Sequence, residues 1–599
     1  MSIWLIWYLF VSVVLQWLAG NIDERVLAFP VGTAVGLACL GGLYVLEREY
    51  GDRPWAGRLR SARMSCLLLS FMVLGCVVCG CLPAGVAFST SWPFVALVAG
   101  VLVQLTLVVL HRLGRIRSSR FVIGRDMPFL LVHMGLWLAL AAGVVGAGDT
   151  LDLRLLSGRE HPASVAVDAQ GRSHPLGYGI QLSDFAVETS PLDGSPVQYH
   201  ATLLIDGSPV RLSVNDPYPV RFSEDVYLAS YDRTLSAGEA MPAFCILQIV
   251  RQPSKYPMLL GIVMLLFGIV WRVVGGGADR SARLSGESTR SGHVQESGRR
   301  PLLLMSMPLT ALMAAVLWPV HTTSPWELFP WFSAIAGALW LSGALLAIGQ
   351  GRRAYLWSLG STALGIAVYG FFVVMLWKAL GRPPLRTMGE TRLWYSLFMA
   401  VSGWIVYARW RYRWIPLFSL LVAAVFIVIN IVRPELHDRS LMPALQSLWF
   451  VPHVTVYMFS YSLFGCAFLL AVAGIWKKTP DYLPSADRLV YIGLVFLTFG
   501  MLSGCLWAKQ AWGTYWSWDP KETWAAATWC AYLVYVHRRL PSMSQTAPPV
   551  LAVTGMPPRL SSARRADYIW LVVGFLLLQM CWYGVNLLPS ASASMHSYG

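Results

Sequence analysis

Along most of this chain apolar residues neither alternate nor recur every third or fourth position. They run unbroken for about 18 to 24 residues, with polar residues gathered between the runs, and a helix of that length crosses the hydrocarbon core of a bilayer. About 15 such spans are predicted, near 2–19, 29–46, 64–83, 93–111, 127–147, 257–275, 301–319, 330–349, 354–377, 393–409, 415–432, 453–475, 488–507, 524–538 and 567–586. The first has neither a preceding basic region nor a small-residue cleavage site, and reads as a retained span. The pattern changes once, at 148–256, where the long runs give way to short alternating segments and turn signals. Residues 164–167, 201–205 and 210–214 read as strands, and Asp206-Gly207-Ser208-Pro209 reads as the turn between the last two. The predicted fold is an all-α polytopic membrane protein with about 15 transmembrane helices and one small β-rich extracytoplasmic domain.

Composition agrees. The chain of 599 residues is 56% hydrophobic and 13% charged, with a mean hydropathy of +0.55. The net charge of +15 would ordinarily raise nucleic-acid binding. With the N-terminus inside, however, most Lys and Arg fall in cytoplasmic loops and their flanks, such as Arg58, Arg60 and Arg63 or Arg112, Arg115, Arg117 and Arg120. That asymmetry is the positive-inside rule, so the basicity reports topology and membrane lipid, and no nucleic acid is expected. Residues 276–300 are polar and rich in Gly, Ser and Arg, the texture of a flexible cytoplasmic linker. The chain thus divides into spans at 1–147, the β-rich domain at 148–256, a closing span at 257–275, the linker, and a second membrane domain at 301–599. Of the ten cysteines, nine lie in or beside apolar spans and read as small hydrophobes, including the Cys76–Cys79 pair; Cys245 stands in the long loop.

The chemistry gathers near residues 507–524. Trp507, Trp512, Trp516, Trp518 and Tyr515 crowd a short stretch, followed at once by Asp519, Pro520, Lys521 and Glu522. Asp519, Pro520 and Glu522 are a helix-start signature: the Asp caps, the Pro takes the first helical position, and the Glu reaches back. Interfacial aromatic belts account for some of the rings. They do not account for so many in one loop, which suggests a surface for a large planar ligand bearing carboxylates. Histidines at membrane depth are costly and point to function. His133 lies roughly 10 Å from the inner boundary of its span, and His537 roughly 25 Å below the outer start of its own. A hydrogen-bonded core position for His133, and a snorkelling helix end at His537-Arg538-Arg539, are the plainer alternatives. His453 and His596 fall level with the tryptophan loop, with His321 and His437 as external substitutes. Two imidazoles on either face of a flat ligand describe haem ligation, and Lys521, Arg386 or Arg392 would meet its propionates.

These segments also carry a family resemblance. WGTYWSWDPKE resembles the WWD signature of haem-handling membrane proteins. With GRPPLRTMGETRLWYS, LMPALQSLWFVPHVTVYMFSY and the terminal HSYG, residues 301–599 are similar to System II cytochrome c synthases of the ResC or CcsA type. The first half, through FLLVHMGLWLALAAGVVGAGD, the β-rich insert and the closing span, resembles the ResB or CcsB partner, so the whole is similar to fused CcsBA synthases. The resemblance implies a bacterial inner-membrane protein with the WWD loop, β domain and C-terminus outside. It implies transport of haem b to an external site and its thioether attachment to the CxxCH motif of apocytochrome c, that is, a holocytochrome c synthase. It further implies haem ligands at His133 and His537 within the membrane and at His453 and His596 outside. A thioredoxin-like reductant would serve the substrate cysteines. A haem-delivery protein serving a separate synthase is the neighbouring expectation.

Overall fold

The computed structural model describes residues 2–83, 86–116, 122–189, 196–231, 242–287, 325–385, 387–437, 445, 447–544 and 560–595. The chain opens with α1 (Ser2–Ala19), α2 (Val31–Tyr50), the short α3 (Pro54–Leu59), α4 (Ala62–Cys81), α5 (Trp92–Gly114) and α6 (Ile123–Gly146). A β domain intervenes before α7 (Lys255–Glu287). Then come α8 (Phe329–Ile348), α9 (Arg352–Leu380), α10 (Met388–Trp410), α11 (Ile415–Val432), α12 (Phe450–Trp476), α13 (Leu483–Trp512), α14 (Pro520–Ser544) and α15 (Ser562–Trp582). Among the described residues, 11 helices are long and apolar enough to cross a membrane. Three expected spans form helices that fall short of that measure. Of α1 only Leu5–Ala19 enters that measure, while α10 and α14 carry charged residues such as Glu390, Arg392, Lys521 and Glu522. Polar residues can occupy such helices because neighbouring helices, not lipid, surround them. The expected span at 301–319 lies outside the described residues. The linker reading needs one correction: residues 276–287 continue α7. A helix already nucleated by its apolar part extends at little cost through Ala, Arg and Leu, despite the glycines.

Eight antiparallel strands build the β domain: β1 (Leu151–Gly158), β2 (Ala163–Asp168), β3 (Ser173–Thr189), β4 (Pro196–Ile205), β5 (Ser208–Ser213), β6 (Tyr218–Arg221), β7 (Glu224–Tyr231) and β8 (Phe244–Arg251). Their order is β5-β4-β3-β2-β1-β8-β7-β6. The sheet curls until β5 meets β7, and alternate residues such as Leu153, Leu155, Ile180, Leu203 and Leu247 fill its core. The expected β4–β5 hairpin turns on Asp206 and Gly207, both at positive φ (46° and 81°), the two-residue geometry that suits Asp-Gly.

The sheet sits at one end of the helix bundle, here the sheet end, between the C-terminus of α6 and the start of α7. Those two helices cross at Gly135 and Gly261, where a Cβ on either would lie 2.6 Å from the other helix's backbone nitrogen. The two halves of the chain share a core rather than standing apart. Met72, Val73 and Cys76 of α4 pack with Trp524, Ala527 and Cys530 of α14. Cys76 is buried and Cys79 half-buried, while Cys39 and Cys81 are exposed.

Candidate functional site

At the sheet end, a cavity of about 160 Å³ lies between α10, α12, α13, α14 and the end of α15. Its walls are mostly apolar or aromatic, from Phe450, Tyr457, Met501, Trp516 and Trp582, with Lys521 and Glu522 as the charged groups. The N-terminus of α10 supplies Thr387, Met388 and Thr391. Thr387 and Glu390 close a capping box there, which holds that edge of the cavity in place.

His453, in the first turn of α12, lines this cavity. Its Nδ1–H donates to the Gly500 carbonyl of α13 at 2.7 Å. A carbonyl only accepts, so the proton belongs on Nδ1 and the lone pair on Nε2, the tautomer of a metal-ligating imidazole with a backbone second shell. The ring lies against Tyr457 and Trp507, with centroids 4.7 and 5.6 Å away. Gly504 gives it room: a Cβ there would stand 2.7 Å from both Cε1 and Nδ1 of the imidazole.

The structure distributes the tryptophan segment over several tasks. Trp507 is 1% exposed and belongs to a core with Phe450 and Leu445. Trp512 tilts against Trp507 at 4.9 Å and ends α13, where Gly513 takes the left-handed φ of +86° that closes a helix. Tyr515 is buried, and burial, followed by the nearby Asp225 carboxylate, pushes its phenol up to about 12. Trp516 lines the cavity, and its indole Nε1–H has no hydrogen-bond partner among the described residues. Trp518 takes φ +58°, a conformation a bulky residue adopts only under constraint. That backbone directs its ring edge-on against Phe94 of α5 at 4.7 Å. Of the five aromatic residues, Trp516 is the one at the cavity wall.

The charged residues after the rings do start a helix, as their order predicts. Lys521 N–H donates to Asp519 Oδ1 at 2.9 Å, and Asp519 N–H to Glu522 Oε2 at 3.2 Å. Asp519 has a second task that no local pattern signals: it accepts the Ser594 hydroxyl at 3.1 Å and the Met595 N–H at 2.7 Å. The C-terminal segment is thereby fastened to the tryptophan segment immediately before His596. His596, Arg386 and His321 lie outside the described residues. Arg392 is 5% exposed in α10, and its Nη1 has no hydrogen-bond partner among the described residues. His437 stacks on Trp326 at 3.7 Å and 5°. Tyr457, Tyr461 and Trp582 also line the cavity. They sit in ordinary apolar spans, and nothing in the sequence separates them from core residues.

The other two histidines lie deeper. His133 sits ten residues into α6 and His537 seventeen past Pro520 in α14, roughly 15 and 25 Å along their helices. The Nδ1–H of each donates to the carbonyl four residues earlier, Phe129 or Leu533, at 2.8 Å. The two rings are within electrostatic reach of one another. The two arginines after His537 are ion-paired. Arg538 Nε meets Asp567 at 2.9 Å, and Arg539 grips Asp487 through Nε and Nη2 at 2.9 and 2.7 Å.

The family described as Cytochrome C assembly protein matches residues 387–557, which include α10 to α14 and most of the cavity wall. A cytochrome c biogenesis protein CcsA from Chlamydomonas reinhardtii is 33% identical over 247 residues, 38% of this chain and 64% of that protein. Its counterpart from Phalaenopsis aphrodite subsp. formosana is 30% identical over 284 residues, 38% of this chain and 82% of that protein. The Marchantia polymorpha counterpart is 25% identical over 299 residues, covering 40% and 87%. Through its second half, which carries the cavity and the tryptophan segment, this multi-pass membrane protein belongs to the CcsA-like cytochrome c assembly family and acts in cytochrome c biogenesis.

Proposed function

We propose that the chain is a self-contained cytochrome c synthase that carries haem b from His133 and His537 to the sheet-end cavity and presents it there for covalent attachment to apocytochrome c. The observation that carries this reading is His453, at the wall of an aromatic cavity with its Nδ1–H committed to a backbone carbonyl. Trp516 offers an indole donor, and Lys521 offers a cation for a propionate. His596, the residue after the Asp519-bound Met595, is the proposed second axial ligand. In this scheme the sheet end faces the external side of a bacterial inner membrane, and the arginines of Arg538, Arg539, Arg112 and Arg272 lie towards the cytoplasm.

The chemistry is an addition. Each thiol of the substrate CxxCH segment adds across a haem vinyl group, sulfur to one carbon and hydrogen to the other, with no atom lost. Holding haem and thiols in register is the main contribution of the protein, and such proximity lowers a barrier by about 7–11 kcal/mol in the best cases. A thioredoxin-like partner would keep the substrate cysteines reduced, and the substrate's own histidine would displace one axial ligand as the product leaves. The test is co-expression with an apocytochrome c in a host lacking other maturation systems. Covalent haem staining of the cytochrome is expected. Haem held only by the membrane protein would instead mark a delivery protein. A His453→Ala variant is expected to lose its six-coordinate external spectrum and to regain it with imidazole; a spectrum unchanged by either removes the ligand assignment.

A further inference from the structure

The β domain touches the tryptophan segment directly. Asp225 of β7 lies between two lysines: Lys255, at the start of α7, meets Oδ1 at 2.6 Å, and Lys509, in the last turn of α13, meets Oδ2 at 3.1 Å. All three side chains are nearly buried, at 9%, 6% and 12% exposure for Asp225, Lys255 and Lys509. The Lys509 ammonium also donates to the Gly513 carbonyl at 2.8 Å and to Gln252 at 3.2 Å. Gln248 of β8 donates to the Trp512 carbonyl at 3.3 Å. The last carbonyls of a helix have no partner within it. Here the end of α13 is completed by its own Lys509, held by Asp225, and by Gln248 from the sheet. Gly513 makes the approach possible, since a Cβ there would stand 2.4 Å from Val250 Cγ2.

We propose that Asp225 is a positioning residue for the cavity: by holding Lys509 it fixes the turn at Gly513 from which the chain carries Trp516 to the cavity wall, so the β domain sets how the site holds its ligand. Trp516 is the third residue after Gly513, a lever of roughly 10 Å at full extension. Movement at the clamp therefore reaches the indole with little slack. This gives the β domain a defined part in the activity of the other half, and it rests on the reading of the cavity as a haem site.

The experiment uses full-length protein purified with haem: wild type, Asp225→Asn, Asp225→Glu and Lys509→Met. Hydrogen exchange over 513–518 reads the clamp without reference to haem, with β1 and β8 as the internal check that the sheet stays folded. The absorption spectrum and the rate at which imidazole displaces an axial ligand read the site. Asp225→Asn and Lys509→Met are expected to speed exchange over 513–518, and imidazole displacement with it, by about tenfold, while β1 and β8 keep their protection. Asp225→Glu, which retains the charge, is expected to recover most of both. Unchanged exchange over 513–518 in both variants overturns the clamp. A loosened segment with wild-type spectrum and displacement rate overturns the positioning role and leaves an ordinary interdomain ion pair. Wild-type protein without a haem band overturns the haem reading, and the positioning role with it; the exchange data would then show separately whether the clamp exists.

Discussion

The two histidine regions differ in how far their support reaches. His133 and His537 each donate Nδ1–H to a carbonyl of their own helix, one turn back. His453 donates to Gly500, on a different helix and 47 residues away in sequence. The cavity around it draws on five helices, the tryptophan loop and, through Asp225, the β domain. A locally supported imidazole needs only its helix. One supported from elsewhere depends on the packing of α12 against α13 and on a glycine that leaves room for the ring. The deeper pair should therefore tolerate changes at the sheet end, and the sheet-end site should be sensitive to changes several helices away.

The sharpest way to break this contrast is to remove a ligand from each region. On the proposed route from the deeper pair to the cavity, His537→Ala is expected to lower haem at both places by about 100-fold, the upper end of what losing a second-shell partner costs. His453→Ala should spare the deeper haem and stop only its use. The haem-to-protein ratio of purified membranes, read beside cytochrome staining, separates the two; equal loss in both variants would erase the distinction. Asp519→Asn comes next. It weakens charge-assisted bonds to Ser594 and Met595, worth about 1.5–3 kcal/mol each to a charged acceptor. The C-terminal segment should then be clipped by carboxypeptidase roughly 10- to 100-fold faster, with the deeper haem unaffected. Gly504→Ala should favour the α-helix by about 1 kcal/mol in intrinsic propensity. Even so, its methyl group displaces the His453 ring, so haem retention in the cavity should fall about tenfold at undiminished helical content by circular dichroism. Retention at the wild-type level would show that the ring has slack.

The smallest effect concerns the β domain alone. Burial raises the Cys245 thiol from 9.0 to about 12. The unfolded chain then releases that proton first as pH rises above 9.0, so stability from this group is present below that pH and declines towards pH 12. A Cys245→Ala variant should show a shallower alkaline loss of stability, seen by thermal unfolding of the sheet. Thiol reagents at neutral pH should leave Cys245 unlabelled until the domain unfolds.

Much of this was legible in the sequence for a simple reason. Apolar runs of bilayer length, the alternation at 201–205 and 210–214, the Asp206-Gly207 turn and the Asp519-to-Glu522 helix start are all set by residues within a few positions of one another. Such interactions recur wherever the same residues follow in order. Most of the β domain was less visible, because β3 runs from Ser173 to Thr189 through Pro175, Gly177 and Gly179, which read as turns. The tertiary structure decided the rest. It sent Trp507 to a core and Trp518 to Phe94, brought Trp516 to the cavity wall, and gave Asp519 the chain before His596. It also laid β7 and β8 on the end of α13, joining the two halves at Asp225. No spacing rule carries this information, since these partners lie tens to hundreds of residues apart and meet only once the helices have packed. The sequence determined which residues had the chemistry; packing determined which of them face the same space.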